Sequence, residues 1–196
     1  MELSPSMVVE VASNSSASFI LRLAARLIDV LFGVLIVFIA NAASVLLLGA
    51  LKARGYVPID AVFAGQLKTP AGIVGILLGG LLYTVTAEAV GGATFGKIIL
   101  RLRITAENLM PSTFKGALLR SAGLCVDVLI VPALLSMSHS LMSQRFGDRW
   151  GHTVVLRASA VPPDSRKGFG LAALGLFSGC MLWGLCIVFL LLLRAV

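Results

Sequence analysis

The hydropathy pattern of the chain is dominated by long apolar runs separated by short polar stretches. Three runs of roughly 20 residues or longer carry few or no charged side chains. They are Val30–Leu51, Pro70–Val90 and Leu171–Leu193. A helix of that length crosses the roughly 30 Å hydrocarbon layer of a bilayer. We therefore predict an all-α membrane protein with three full transmembrane helices.

A fourth apolar run, Ser121–Met142, has two interpretations. It is long enough to span a membrane, but it contains Asp127, Pro132 and His139. Proline removes a backbone donor and kinks a helix, although membrane helices tolerate it. The run is therefore either a fourth span or a re-entrant helical hairpin that returns to its own side.

Charge and strand patterns favour the hairpin. With four spans the 16 Lys and Arg residues divide 8 to 8 across the membrane, and with the hairpin they divide 12 to 4. Cytoplasmic loops carry the excess of basic residues in membrane proteins. The segments "ILRLRIT" and "HTVVLRA" also look like short strands that could pair, which requires both on one face. We expect the hairpin, a cytoplasmic N-terminus and an external C-terminus.

Composition agrees with a membrane location. The chain is 58% hydrophobic and 13% charged, with a mean hydropathy of +1.00, whereas soluble domains carry roughly a quarter charged residues. We expect an integral protein of the plasma membrane, most simply a bacterial cytoplasmic membrane. No nucleophile–base pair, C-x-x-C or metal cluster is visible in the sequence. We expect no enzyme activity, cofactor, metal site or nucleic-acid partner.

Residues 89–105, "AVGGATFGKIILRLRIT", partly match a phosphate-binding loop. Gly91, Gly96 and Lys97 fit the G-x-x-x-x-G-K part of that motif. However, Ile98 stands where Ser or Thr would hold magnesium, and the preceding residues end a membrane helix rather than a buried strand. We interpret the segment as a Gly-rich turn leaving the membrane, with Lys97 reaching lipid phosphates.

Two Arg–Asp pairs have the same seven-residue spacing, Arg22 with Asp29 and Arg120 with Asp127. Seven residues are nearly two helical turns, so each pair shares a helix face. A carboxylate in hydrocarbon costs several kcal/mol unless it is paired, hydrated or protonated. Glu88, near the end of the second span, is a third such acid. These acids either hold the bundle together through ion pairs or bind and relay a cation.

Taken together, these elements resemble the RDD family of membrane proteins, which is named for an Arg and two Asp residues. The match runs through both Arg–Asp pairs and "QRFGDRWGHTVV". "GGATFGK" fits the family's G-x-T-x-G-K signature, and a closing D-R-x-x-x-T element follows. The residues that fit these two elements are Gly92, Thr94, Gly96, Lys97, Asp148, Arg149 and Thr153. Gly147 stands where many members carry His, so no His-dependent role is expected there.

The resemblance implies a domain organisation. An RDD-like membrane core covers residues 18–158, after a flexible leader at residues 1–17. A Pro-rich linker, residues 159–168, then leads to an additional transmembrane helix at residues 169–196, outside the usual core. For function, the resemblance implies transport generally and sodium–proton exchange for some members.

Two function classes are consistent with these observations. The first is a small ion or proton-coupled transporter in which Asp29, Asp127 and Glu88 titrate. The second is a non-catalytic accessory or scaffold subunit in which the acids are locked in salt bridges. In either case Asp148 could pair with Lys97 or Arg120.

The expected partners are a bilayer with anionic headgroups and a second protein surface. Exposed Lys and Arg attract anionic lipid. Two G-x-x-x-G motifs permit close helix approach, either within the chain, in a homo-oligomer or with a partner in a membrane complex. They are Gly75–Gly79 and Gly175–Gly179.

Overall fold

The computed structural model describes residues 5–54, 70–123, 130–163 and 166–195. Among these residues, three helices are long and apolar enough to cross a membrane, which confirms the prediction. They are α2 (Phe19–Ala53), α3 (Pro70–Gly91) and α8 (Phe169–Ala195). The shorter helices are α1 (Pro5–Ser15), α4 (Phe95–Ile99), α5 (Phe114–Ala122), α6 (Ile130–Ser138) and α7 (Phe146–Trp150).

Helix α2 begins well before the apolar run predicted from hydropathy. Ser18 Oγ accepts a hydrogen bond from Leu21 N in the first turn, as a helix N-cap does. At about 1.5 Å per residue, the 35 residues of α2 extend roughly 52 Å. Because that length exceeds the hydrocarbon thickness, part of α2 extends beyond the hydrocarbon layer.

The three long helices pack through small residues. Gly175 lies against Gly91, where an added Cβ would be 2.8 Å from the Gly91 nitrogen. The Trp183 ring fills the space beside Gly79, where a Cβ would lie 2.1 Å from Trp183 Cδ1. Gly179 lies against the backbone of Tyr83, where an added Cβ would be 3.0 Å from Tyr83 O. The glycine motifs therefore serve packing within the chain, one of the alternatives left by the sequence.

Large apolar side chains cover the outer faces of the three helices. Phe38, Leu77 and Phe177 are each more than 60% exposed. An inner cluster formed by Ile36, Ala40, Tyr83, Ala87 and Trp183 is buried. Apolar side chains on both the inner and the outer faces are typical of a helix that contacts lipid.

A two-stranded antiparallel sheet lies beside the helix ends. Strand β1 (Leu102–Ala106) pairs with β2 (Thr153–Arg157), and the register runs from Leu102↔Arg157 to Ala106↔Thr153. The two strand-like segments therefore pair as predicted. A single turn of 3-10 helix, Ala158–Ala160, follows β2.

The run Ser121–Met142 is not a continuous helix in the described residues. Helix α5 ends at Ala122, and α6 has nine residues, or about 13 Å, which is too short to cross a bilayer. Because β1 and β2 pair, the chain between them begins and ends at the same sheet. This agrees with three spans and a segment that returns to its own side. Residues 124–129, which include Asp127, lie outside the described residues.

The segments expected to be a flexible leader and a linker have packed parts. Residues 5–15 form α1, Val11 packs on the cluster around Leu156, and Ser16 bridges Leu156. In the linker, Arg166 donates through Nε to Val161 O at 2.8 Å. The N-terminal segment is therefore held by an apolar contact and by backbone pairing. Both involve residues far apart in the sequence, so a local sequence pattern does not predict them.

Candidate functional site

Charged side chains converge where the sheet-proximal ends of α2 and α3 meet α4, α5 and α7. Six of the residues predicted from the sequence line one small cavity there. They are Arg22, Asp29, Glu88, Lys97, Arg120 and Asp148. All six are buried. We call this group the buried charge network.

Asp29 is held by the Gly-rich turn. Its carboxylate accepts hydrogen bonds from Thr94 Oγ1 at 2.6 Å, from Gly96 N at 2.8 Å and from Tyr83 Oη at 3.4 Å. Gly92 has φ +71°, a left-handed conformation that glycine adopts without strain. The G-x-T-x-G-K turn therefore binds an internal carboxylate.

Glu88 lies between two cations. Lys97 Nζ donates to Glu88 Oε1, and Arg120 Nε is 3.8 Å from Glu88 Oε2. Burial lowers the pKa of Lys97 to about 8, although the negative charge of Glu88 opposes the shift. The expectation that Lys97 reaches lipid phosphates is wrong, because its side chain is buried against Glu88.

Asp148 joins two arginines from different helices. Arg22 Nη1 is 2.6 Å from Asp148 Oδ2, and Arg120 Nε is 3.0 Å from Oδ1. Arg145 N donates to Asp148 Oδ2 at 3.1 Å. Burial opposes ionisation of Asp148, but the charges of Arg120 and Arg22 outweigh it and lower the pKa to about 2. Of the two expected partners of Asp148, Arg120 is present and Lys97 is not.

The cavity between these groups has a volume of about 30 Å³. That is enough for roughly one or two water molecules. Among its described lining residues, five side chains are basic and three are acidic, and Thr84 and Ser121 add hydroxyl groups. The basic residues beyond those already in the network are Arg26 and Arg145. The site is thus a small polar cavity at the end of two spans, with its carboxylates bonded to protein groups.

The remaining predicted residues lie beside the network or outside it. Thr153 Oγ1 donates to Asp148 O at 3.4 Å, which ties β2 to α7. Arg149 is exposed, and its Nη2 lies 3.4 Å from Ser136 O and from His139 O. Asp127 lies outside the described residues. Arg22 and Asp29 share a helix face as the spacing predicts, but each binds residues from other elements.

Sequence reasoning missed Tyr83 as a site residue. Its hydroxyl donates to Asp29 and accepts from Phe95 N at 3.0 Å, so it connects α3 to the Gly-rich turn. The ring is buried between Phe32 and Trp183. The available signal was a phenol in an apolar span five residues before Glu88, since a buried hydroxyl there needs a partner.

Comparison with known proteins identifies a family. The model of the RDD family matches residues 16–193. That range includes α8, the helix that the sequence analysis placed outside the family core. No curated protein and no solved structure matches the chain.

Proposed function

The chain belongs to the RDD family of membrane proteins, and from that premise we propose that it is a small ion or proton-coupled transporter that uses its buried carboxylates. The observation that carries the proposal is the buried Lys97–Glu88 pair beside a polar cavity at the end of a span. Ionisable groups at membrane depth are costly and typically mark ion pathways.

Charge balance at this pair gives the proposed exchange step. With its pKa lowered to about 8, Lys97 can release a proton near physiological pH. When that proton leaves, Lys97 becomes neutral, and the carboxylate of Glu88 loses one compensating positive charge. A monovalent cation in the cavity then restores the charge balance. Protonation of Lys97 then expels the cation. One proton is exchanged for one cation, and Arg120 stays charged throughout.

Asp29 is the second proposed cation ligand. Among the described residues its carboxylate lies within ion-pair distance of no basic side chain and is held by neutral donors instead. It lines the same cavity as Glu88. Asp127 stays a candidate from the sequence alone.

A transport path across the bilayer needs more lining surface than three helices provide. We propose that a second copy of the chain completes it. The contact would use lipid-facing apolar surfaces, because other residues of the same chain already occupy the space beside Gly79, Gly175 and Gly179. Gly75 is buried as well.

The test is proton and sodium flux in proteoliposomes under each imposed gradient. We expect flux from the wild type and its loss in Glu88→Gln and Asp29→Asn, at matched reconstitution and with folding verified. Lys97→Arg keeps the positive charge, but an arginine cannot release a proton near physiological pH. This variant should therefore also lose flux. Glu10→Gln, which removes an exposed carboxylate in α1, is the control and should retain flux.

Two results would contradict the proposal. Absence of flux from folded wild-type protein in either gradient would exclude transport of these two ions. Unchanged flux in Glu88→Gln would exclude Glu88 from the exchange step.

A second candidate is an accessory or scaffold subunit, and one observation favours it. Each described acid of the network bonds to other elements of the chain, so the network joins α2, α3, α4, α5 and α7. In that case Glu88→Gln lowers stability or partner capture from native membranes, and no flux is present to lose.

A further inference from the structure

A second pocket lies at the sheet-proximal end of α3. Its described lining residues are Gly91, Gly92, Arg103, Ile104, Thr105, Pro111, Val161, Arg166 and Lys167. Gly91 ends one candidate span, and Lys167 precedes the next by two residues. The pocket is therefore at the level where two spans leave the hydrocarbon. We call it the interfacial pocket.

Three cations line the interfacial pocket, and its described lining contains no carboxylate. Their side chains bind backbone carbonyls: Arg103 Nη1 donates to Gly91 O at 2.8 Å, and Arg166 Nη2 to Ser159 O at 3.1 Å. Lys167 Nζ donates to Ala89 O. Carbonyl groups hold these cations in place without neutralising their charge.

The pKa shifts of two of these lining residues also indicate uncompensated positive charge in the pocket. Burial and the charge of Arg166 both lower the pKa of Arg103, and burial lowers the pKa of Lys167. Within the described part of the chain, neither residue has an ion-pair partner. An anion in the pocket would relieve this repulsion.

A buried hydroxyl without a partner points to a ligand. Thr105 lines the pocket and is 1% exposed. Its Oγ1 has no hydrogen-bond partner among the described residues. A buried hydroxyl left unpaired costs about 1–3 kcal/mol. A ligand oxygen in the pocket would accept a hydrogen bond from this hydroxyl.

We propose that the interfacial pocket binds a phosphate group. The pocket volume of about 10 Å³ fits roughly one oxygen atom. One phosphate oxygen would enter and accept from Thr105 Oγ1, while the other oxygens face Arg103, Arg166 and Lys167 at the mouth. Guanidinium groups suit phosphate because they combine charge with several donors. The phosphate comes either from an anionic lipid headgroup or from solution.

Binding is measured on the full chain in nanodiscs and in detergent. In the lipid arm, native mass spectrometry counts phosphatidylglycerol retained against a phosphatidylcholine background. In the solution arm, inorganic phosphate is titrated in detergent and compared with sodium chloride at equal ionic strength. Saturable binding of phosphatidylglycerol alone identifies the headgroup as the source. Saturable binding of inorganic phosphate identifies free phosphate.

Three variants decide whether the pocket is responsible. Arg166→Gln should weaken binding roughly tenfold, the loss typical of one charged hydrogen bond. Thr105→Val should also weaken binding while leaving the ligand-free protein as stable or more stable, because the unpaired hydroxyl is gone. Arg54→Gln removes an exposed charge at the far end of α2 and should bind as the wild type does.

The proposal is overturned if neither probe binds saturably. It is equally overturned if Arg54→Gln loses as much affinity as Arg166→Gln. These measurements do not depend on flux, so they are independent of the transport proposal.

Discussion

The partial phosphate-loop pattern in the Gly-rich turn has a physical explanation at single residues. Thr94 Oγ1 and Gly96 N donate to Asp29, so the turn binds an anion that belongs to the protein itself. Gly96 also lies against the backbone of α2, where an added Cβ would be 2.0 Å from Ala25 O. One glycine therefore permits both the hydrogen bond and the close approach.

Gly96→Ala is expected to destabilise the protein by about 3 kcal/mol, because α4 must move away from α2 and its bond to Asp29 must lengthen. Thermal unfolding in detergent measures the effect. Gly49→Ala, also in a helix and with nothing within 4 Å of its Cβ position, should be neutral or slightly stabilising. Equal stability of the two variants would contradict this explanation of the signature.

Asp148→Asn tests the ion pairs that Asp148 makes with Arg22 and Arg120. Removing one partner of a buried pair typically costs about 3–5 kcal/mol. The pKa of Asp148 is lowered from 3.8 to about 2, so its stabilising contribution is complete above pH 4 and is lost as the pH falls toward 2. That shift corresponds to about 2 kcal/mol.

Unfolding measured from pH 7 to pH 2 should therefore show a shallower acid decline in Asp148→Asn than in the wild type. Glu107→Gln, at a partly exposed carboxylate beside His152, should keep the wild-type decline. A full acid decline in Asp148→Asn would mean that other groups dominate acid unfolding.

At the scale of elements, hydropathy and alternation predicted the spans and the sheet. The three apolar runs became α2, α3 and α8, and "ILRLRIT" and "HTVVLRA" became the paired strands. Both patterns are local, since they reflect which side chains face lipid or the core. Contacts between distant elements were less predictable.

The pairing inside the charge network shows this limit. The sequence identified the costly acids, because a carboxylate in an apolar run is visible in one dimension. It did not identify the partners, since Arg22 and Asp148 are 126 residues apart and meet only after α7 packs on α5. Lys97 likewise turns back to Glu88 through the short α4, whose helix the alternating pattern did not predict.

Packing of α3 on α8 gives a prediction at this scale. Gly79→Ala places a Cβ 2.1 Å from Trp183 Cδ1, so we expect a loss of about 1–3 kcal/mol from overpacking. The same change in a Trp183→Ala background should cost at least roughly 1 kcal/mol less, because the clashing ring is absent. Gly184→Ala, in open space on α8, is the control. Additive effects of the two changes would show that Trp183 does not fill the space at Gly79.

At the scale of the whole molecule, the sheet determines which parts share a side of the membrane. Ser16 bridges Leu156, so the N-terminal segment lies with the sheet. Helix α2 leaves the sheet, α3 returns to it, and α8 starts against Gly91 and leaves again. Among the described residues, the sheet side therefore carries 12 basic side chains, and we propose that it is cytoplasmic.

Cysteines introduced one at a time and labelled with a membrane-impermeant maleimide test both the pairing and the orientation. Ser13→Cys and Ser159→Cys are exposed on the sheet side, and Arg54→Cys is exposed at the opposite end of α2. In intact cells we expect labelling of Arg54→Cys alone, and labelling of the other two only after permeabilisation, with unsubstituted protein as the blank. Labelling of Ser13→Cys and Ser159→Cys alone would reverse the orientation but keep the fold. Labelling of those two sites from opposite sides would mean that the segment between β1 and β2 crosses the membrane, which the strand register does not permit.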